Sequence, residues 1–137
     1  MIQRIQTLYL FIVIVLQSIL LSTDIGKYTD PVEGVEVLRK TFNYPLLAAL
    51  SALTSLIPAV STFLYGRRML QMRFNIFNSI LLVALQGFIV YYIIADGEKT
   101  TFAIQSVFPA ISLVLSILAI RNILRDELLI KSLNRIR

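Results

Sequence analysis

Asp24, Asp30 and Glu33 in one polar connection, and Asp96 in another, are the residues best able to do chemistry. Carboxylates so placed can bind a divalent cation or act as a general base. No spacing among them matches a metal-binding loop, so solvated loop charge is the simpler reading. Histidine and cysteine are absent, which removes the usual imidazole proton shuttle and every thiolate site. The residues therefore call for no catalytic group, metal or cofactor, and the expectation is a protein that is not an enzyme.

Uncharged polar residues are the second candidates. Asn75, Ser79 and Gln86 recur at spacings of four and seven, which places them on one face of a helix. Such a face most simply supplies hydrogen bonds between helices in a membrane. The alternative is a polar pocket for a transported or lipid-like molecule, built from Asn78, Gln86 and Gln105. Small residues repeat at Ala48, Ala52, Ser55 and Ala59, and again at Ser112, Ser116 and Ala119. Close approach of membrane helices uses such faces, so the second and fourth spans are expected to make the tightest contact, either within one chain or between chains.

The elements that position these groups follow from charge. Hydrophobic residues make up 57% of the chain and charged residues 15%, too little polarity to coat a soluble domain this small. Charge-free runs cover Ile5 to Thr23, Thr41 to Gly66, Phe74 to Ala95 and Thr100 to Ile120. About 20 apolar residues cross a hydrocarbon core, and helices satisfy every backbone group on the way. The expected fold is an all-α integral membrane four-helix bundle forming a single domain, with spans at about 5–23, 45–66, 74–95 and 101–120. The first run is long for a signal core and lacks small-x-small residues after it, so it reads as an anchor.

The pI of about 9.8 reflects charges at the ends of apolar runs rather than a nucleic-acid surface. Arg4, Arg67, Arg68, Arg73, Arg121, Arg125, Lys131, Arg135 and Arg137 all fall on one side, where they can meet lipid headgroups or a partner. The positive-inside rule puts that side, with both termini, in the cytoplasm. Residues 22–44 on the opposite side form the longest polar connection. Val35, Leu38 and Phe42 have near-helical spacing there, so a short surface helix competes with an ordered loop. Pro58 and Pro109 are expected to kink their helices.

The fourth span runs without Gly or Pro into residues 121–137, a helical cytoplasmic tail. Leu124 and Leu128 form one apolar stripe, and Leu129, Leu133 and Ile136 another. Arg121 with Arg125, and Lys131 with Arg135, set like charges one turn apart, which calls for an anionic neighbour. Two stripes separated by charge can dock on a protein while also reaching lipid.

Met1-Ile-Gln-Arg-Ile-Gln6 with Leu8-Tyr9-Leu10 at one end, and Arg121 through Asp126-Glu127 to Ser132 and Arg135-Ile-Arg137 at the other, resemble a bacterial family of small four-span proteins known only as a domain of unknown function. That resemblance implies the inner membrane of a double-membraned bacterium and brings no activity or cofactor. The resulting expectation is an accessory or scaffolding subunit of an inner-membrane complex. Its partners would be the bilayer and another membrane protein, or itself as a homo-oligomer, with no nucleic acid involved.

Overall fold

The structure is a computed structural model that describes residues 2–29, 32–64, 66–95 and 100–135, and the side chains among them except those of 2–4, 28 and 100. Four helices dominate it: α1 (Ile2–Ser22), α2 (Pro45–Phe63), α3 (Arg68–Ala95) and α4 (Phe108–Asn134). All four are long and apolar enough to cross a membrane. With α3 at 28 residues, its length is about 42 Å, more than the roughly 30 Å of a hydrocarbon core. The chain is a multi-pass membrane protein.

The helices form a ring in which α1 packs on α2 and α4, and α3 also packs on α2 and α4. Spans two and four therefore sit at opposite corners, which overturns the expected close contact between them within one chain. The short α2–α3 turn makes those two antiparallel neighbours, and α1 and α4 fill the remaining sides. Ala48, Ala52, Ser55 and Ala59 are only partly buried; the stripe one residue away, Leu47, Ser51, Thr54, Pro58 and Ser61, faces inward.

Each helix buries a heptad-like face with alternating steps of three and four, the pattern of interdigitating side chains between nearly antiparallel helices. In α1 this face is Gln6, Leu10, Val13, Gln17 and Leu20. In α3 it runs from Gln71 through Asn75, Asn78, Leu82 and Leu85 to Ile89 and Ile93, and in α4 through Ser112, Ser116, Ala119, Ile123 and Asp126. Outward positions such as Phe11, Leu56, Ile80 and Val114 are large, apolar and exposed, as lipid contact requires.

Between α1 and α2 the chain forms strands rather than the expected helix or loop. β1 (Asp24–Thr29) is the centre of a three-stranded antiparallel sheet with β2 (Glu36–Lys40) and β3 (Thr100–Phe102) as its edges. The Val35, Leu38 and Phe42 spacing loses to β-branched alternation and to a turn at Gly34, whose φ of 65° favours glycine. A bulge between Asp24 and Gly26 lets Ile25 drop into the core, 1% exposed. Replacing Gly34 with valine is expected to cost about 1–2 kcal/mol through the left-handed backbone, read as a lowered midpoint of thermal unfolding.

The sheet is fastened to the bundle by polar contacts. Thr41 Oγ1 lies 2.7 Å from the Leu20 carbonyl and 3.1 Å from that of Thr23, and Ser106 Oγ donates to the Ile25 carbonyl. Arg39 donates to the Tyr44 hydroxyl, and the Tyr44 and Tyr92 rings pack at a 39° tilt with centroids 4.6 Å apart. Beneath them Leu20, Ile25, Leu47, Leu85, Ile89 and Ile93 form the apolar core of this end. Pro58 sits on the buried face of α2. Pro109 lies in the first turn of α4, where a missing N–H breaks no helical bond, so the kink expected there has no cause.

Candidate functional site

The interior changes character along its axis. At the sheet end the helices' core side chains are mainly apolar, whereas toward the end carrying the α2–α3 turn and the last turns of α4, here the tail end, the polar Gln6, Ser61, Gln71, Asn75, Asn78 and Asp126 stand among Leu10, Val13 and Ile123. Gln17 marks the boundary. Its Nε2 donates to Ser112 Oγ at 2.9 Å, its Oε1 accepts from Thr54 Oγ1 at 3.3 Å, and its carbonyl accepts from Ser51 Oγ at 3.3 Å. One fully buried amide thus joins three helices.

A second clasp closes the tail end. Gln6 Nε2 donates to Asp126 Oδ2 at 2.7 Å, tying the start of α1 to α4, with the two residues 6% and 8% exposed. Asp126 is therefore part of the interior rather than of a free tail. Ile123 is buried beside it in sequence, and α4 leaves the bundle only after Glu127.

Between the two clasps lie Asn75 and Asn78, both 0% exposed. Among the described residues neither amide has a hydrogen-bond partner for its nitrogen or its oxygen, and the Ser61 and Ser116 hydroxyls are likewise unpartnered. An unmatched buried polar group costs about 1–3 kcal/mol, so these residues are poor choices for packing alone. Ser79 instead bonds back to the Asn75 carbonyl at 2.9 Å, and Gln86 is half-buried with its Oε1 unpartnered. Gln105 lies in the turn before α4 and is also half-buried. The structure thus brings Asn75 and Asn78 onto one inward face and leaves Gln105 at the far end.

The tail end is basic outside. Arg67 of the α2–α3 turn and Arg68, Met69 and Leu70 at the start of α3 meet Glu127 and Ile130 across an open groove of about 410 Å³. Arg73 is exposed on α3. A second groove of about 600 Å³ follows the outer face of α4, where Arg121 and Arg125 are set among Ile117, Leu124 and Leu128. Glu127 pairs with Lys131 at 3.6 Å and Asp126 turns inward, so the acids nearest to Arg121 and Arg125 in sequence are engaged elsewhere. Leu128, Leu129, Ile130 and Leu133 are 66%, 50%, 40% and 66% exposed. The side chain of Arg4, and Ile136 and Arg137, lie outside the described residues.

A profile for the Domain of unknown function (DUF4293) matches residues 2–136. The chain belongs to this family. The match spans all four helices and both clasps, and it carries no assigned activity. Comparison with curated proteins and with solved structures finds no match.

The acids at the sheet end remain apart. Asp24 is half-buried at the start of β1 and Glu33 is exposed, while Asp30 and Asp96 lie outside the described residues. Among the described residues no three acids gather into a metal-sized cluster. Gln6, Gln17 and Asp126 were not singled out from the sequence as a site. The signal that finds them is the alternating three-and-four spacing of Gln6, Leu10, Val13, Gln17 and Leu20, and of Ser112, Ser116, Ala119, Ile123 and Asp126.

Proposed function

We propose that this protein is a non-catalytic accessory subunit of a bacterial inner-membrane complex, anchored by its four helices and docking through a cytoplasmic tail end. The observation that carries this reading is the last part of α4. Leu128, Leu129, Ile130 and Leu133 are exposed beyond the buried Asp126, with Lys131 and Arg135 among them. Exposed apolar surface rimmed by charge marks an interaction surface. The surrounding charge, from Arg67, Arg68, Arg73, Arg121 and Arg125, fits a partner membrane protein that presents acidic and apolar residues together. The same excess of Arg and Lys favours the cytoplasmic side under the positive-inside rule.

The test is gentle detergent extraction and purification through a tag placed in the turn near Gly34, followed by mass spectrometry. A stoichiometric membrane-protein partner is expected with the unaltered chain. Leu128→Glu with Leu133→Glu should reduce its recovery at least tenfold, whereas Val32→Ser, an exposed change at the sheet end, should not. Recovery of the protein alone, or equal recovery of the partner with both variants, rejects the reading.

A second reading, a small transporter or lipid-handling protein with an uncharged polar pocket, draws support from the unpartnered amides of Asn75 and Asn78. The six-residue apolar core at the sheet end stands against a path through the axis. If Arg121 and Arg125 instead serve as an anionic-lipid site, Arg121→Gln with Arg125→Gln should reduce the phosphatidylglycerol that co-purifies with the detergent-extracted protein while leaving partner recovery intact.

A further inference from the structure

We infer that the bundle interior between the Gln6–Asp126 clasp and the Gln17 clasp is a hydrated chamber, holding bound water on Asn75 and Asn78 and entered from the tail end. This goes beyond the docking proposal and does not depend on it. Its position follows from helix geometry. Asn75 and Asn78 come seven and ten residues after Arg68, so they lie about 10 and 15 Å along α3 from the tail end at roughly 1.5 Å per residue. The stretch of α1 from Gln6 to Gln17 covers about 16 Å by the same rise. Both asparagines therefore fall within the section bounded by the two clasps.

The chemistry of the unmatched atoms selects the ligand. Each asparagine leaves both its NH2 group and its carbonyl oxygen without a partner. A cation would satisfy only the oxygens, and an anion only the NH2 groups. Water donates and accepts in equal measure, and typically makes about three bonds to buried polar groups. The Ser61 and Ser116 hydroxyls, unpartnered and 0% exposed, extend the same donor and acceptor character onto α2 and α4. Side chains at these core positions are also small, with Ser61 on α2 and Ser116 and Ala119 on α4.

Access follows the exposure gradient. Gln6, Gln71 and Asp126 at the tail end are 6%, 4% and 8% exposed, while Asn75 and Asn78 are 0%. Lipid surrounds the sides and supplies no hydrogen bonds. The sheet end is closed by Leu20, Ile25, Leu47, Leu85, Ile89 and Ile93. Water thus has one entrance, through a polar rim made by Gln6, Gln71 and Asp126.

The chain contains no cysteine, so single-cysteine reporters need no background removal. In proteoliposomes of the full chain, Asn75→Cys and Asn78→Cys should react with a small charged methanethiosulfonate reagent at least tenfold faster than Leu85→Cys and Ile89→Cys. Reaction at Asn75→Cys and Asn78→Cys no faster than at Leu85→Cys overturns the inference. A second measurement uses the unaltered protein: hydroxyl-radical footprinting, which oxidises side chains beside bound water, should mark Leu10, Val13 and Ile123 above Leu20, Leu47 and Ile89. Equal protection of both sets also overturns it.

Discussion

Replacing Gln17 with alanine is expected to destabilise the bundle by about 3 kcal/mol, among the largest effects of any single change to its interior. Gln17 is 0% exposed and holds Ser112 and Thr54 through its side chain. Hydrogen bonds between membrane helices average about 0.6 kcal/mol each, because the unfolded chain in the membrane finds other partners. Two such bonds give little more than 1 kcal/mol, and the rest comes from the cavity left by removing a large buried side chain, a class of change that costs about 2–5 kcal/mol. Gln17→Leu separates the terms. It fills the volume but strips Ser112 of its donor, while Thr54 keeps its bond to the Ser51 carbonyl at 3.0 Å, so its cost should be about 1–2 kcal/mol. Reversible unfolding in mixed detergent and SDS micelles, followed by circular dichroism, measures both. A Gln17→Ala cost below 1 kcal/mol would show that the three-helix junction is not held by this side chain.

Asp126→Ala should be the next most damaging polar change, at about 1.5–3 kcal/mol, because it leaves the Gln6 amide buried without its charged acceptor. Asp126→Asn keeps a carbonyl oxygen in place and should recover more than half of that loss. The readout is again the unfolding midpoint, together with amide exchange at the start of α1, which should rise when the clasp is cut. If Asp126→Ala and the surface change Glu127→Ala prove equally mild, Asp126 serves the exterior rather than the interior.

Uninterrupted charge-free runs identified the four helices, because a charge in hydrocarbon is costly whatever the fold. Their ends were less legible. α3 begins at Arg68, six residues before the apolar run at Phe74, since Arg68, Gln71 and Arg73 are adequate helix formers and need no lipid. The kink expected at Pro109 fails because the helix starts there, a boundary that apolar content does not mark. The sheet was hidden for a different reason. β1 pairs with β3 at Gly26 and Phe102, a contact across most of the chain, and no local periodicity reports such a pairing.

The polar interior was half visible. Asn75 stood out as one of a run of polar residues, but its choice of Asn78 over Ser79 as an inward companion depends on where α2 and α4 lie. Asp126 belonged by sequence to a charged tail, and only its bond to Gln6, across 120 residues, brings it inside.

The sequence by itself determined that this chain spans a membrane four times as helices and gathers its positive charge at one end. Both are properties of each segment's own transfer energy between water and lipid. Tertiary structure alone decided which helices are neighbours, which amides are satisfied and which are stranded, and that the polar connections fold into a sheet. Those outcomes depend on pairings between distant segments, and lipid leaves them to packing and hydrogen bonding because it offers no hydrophobic force between helices to choose among them.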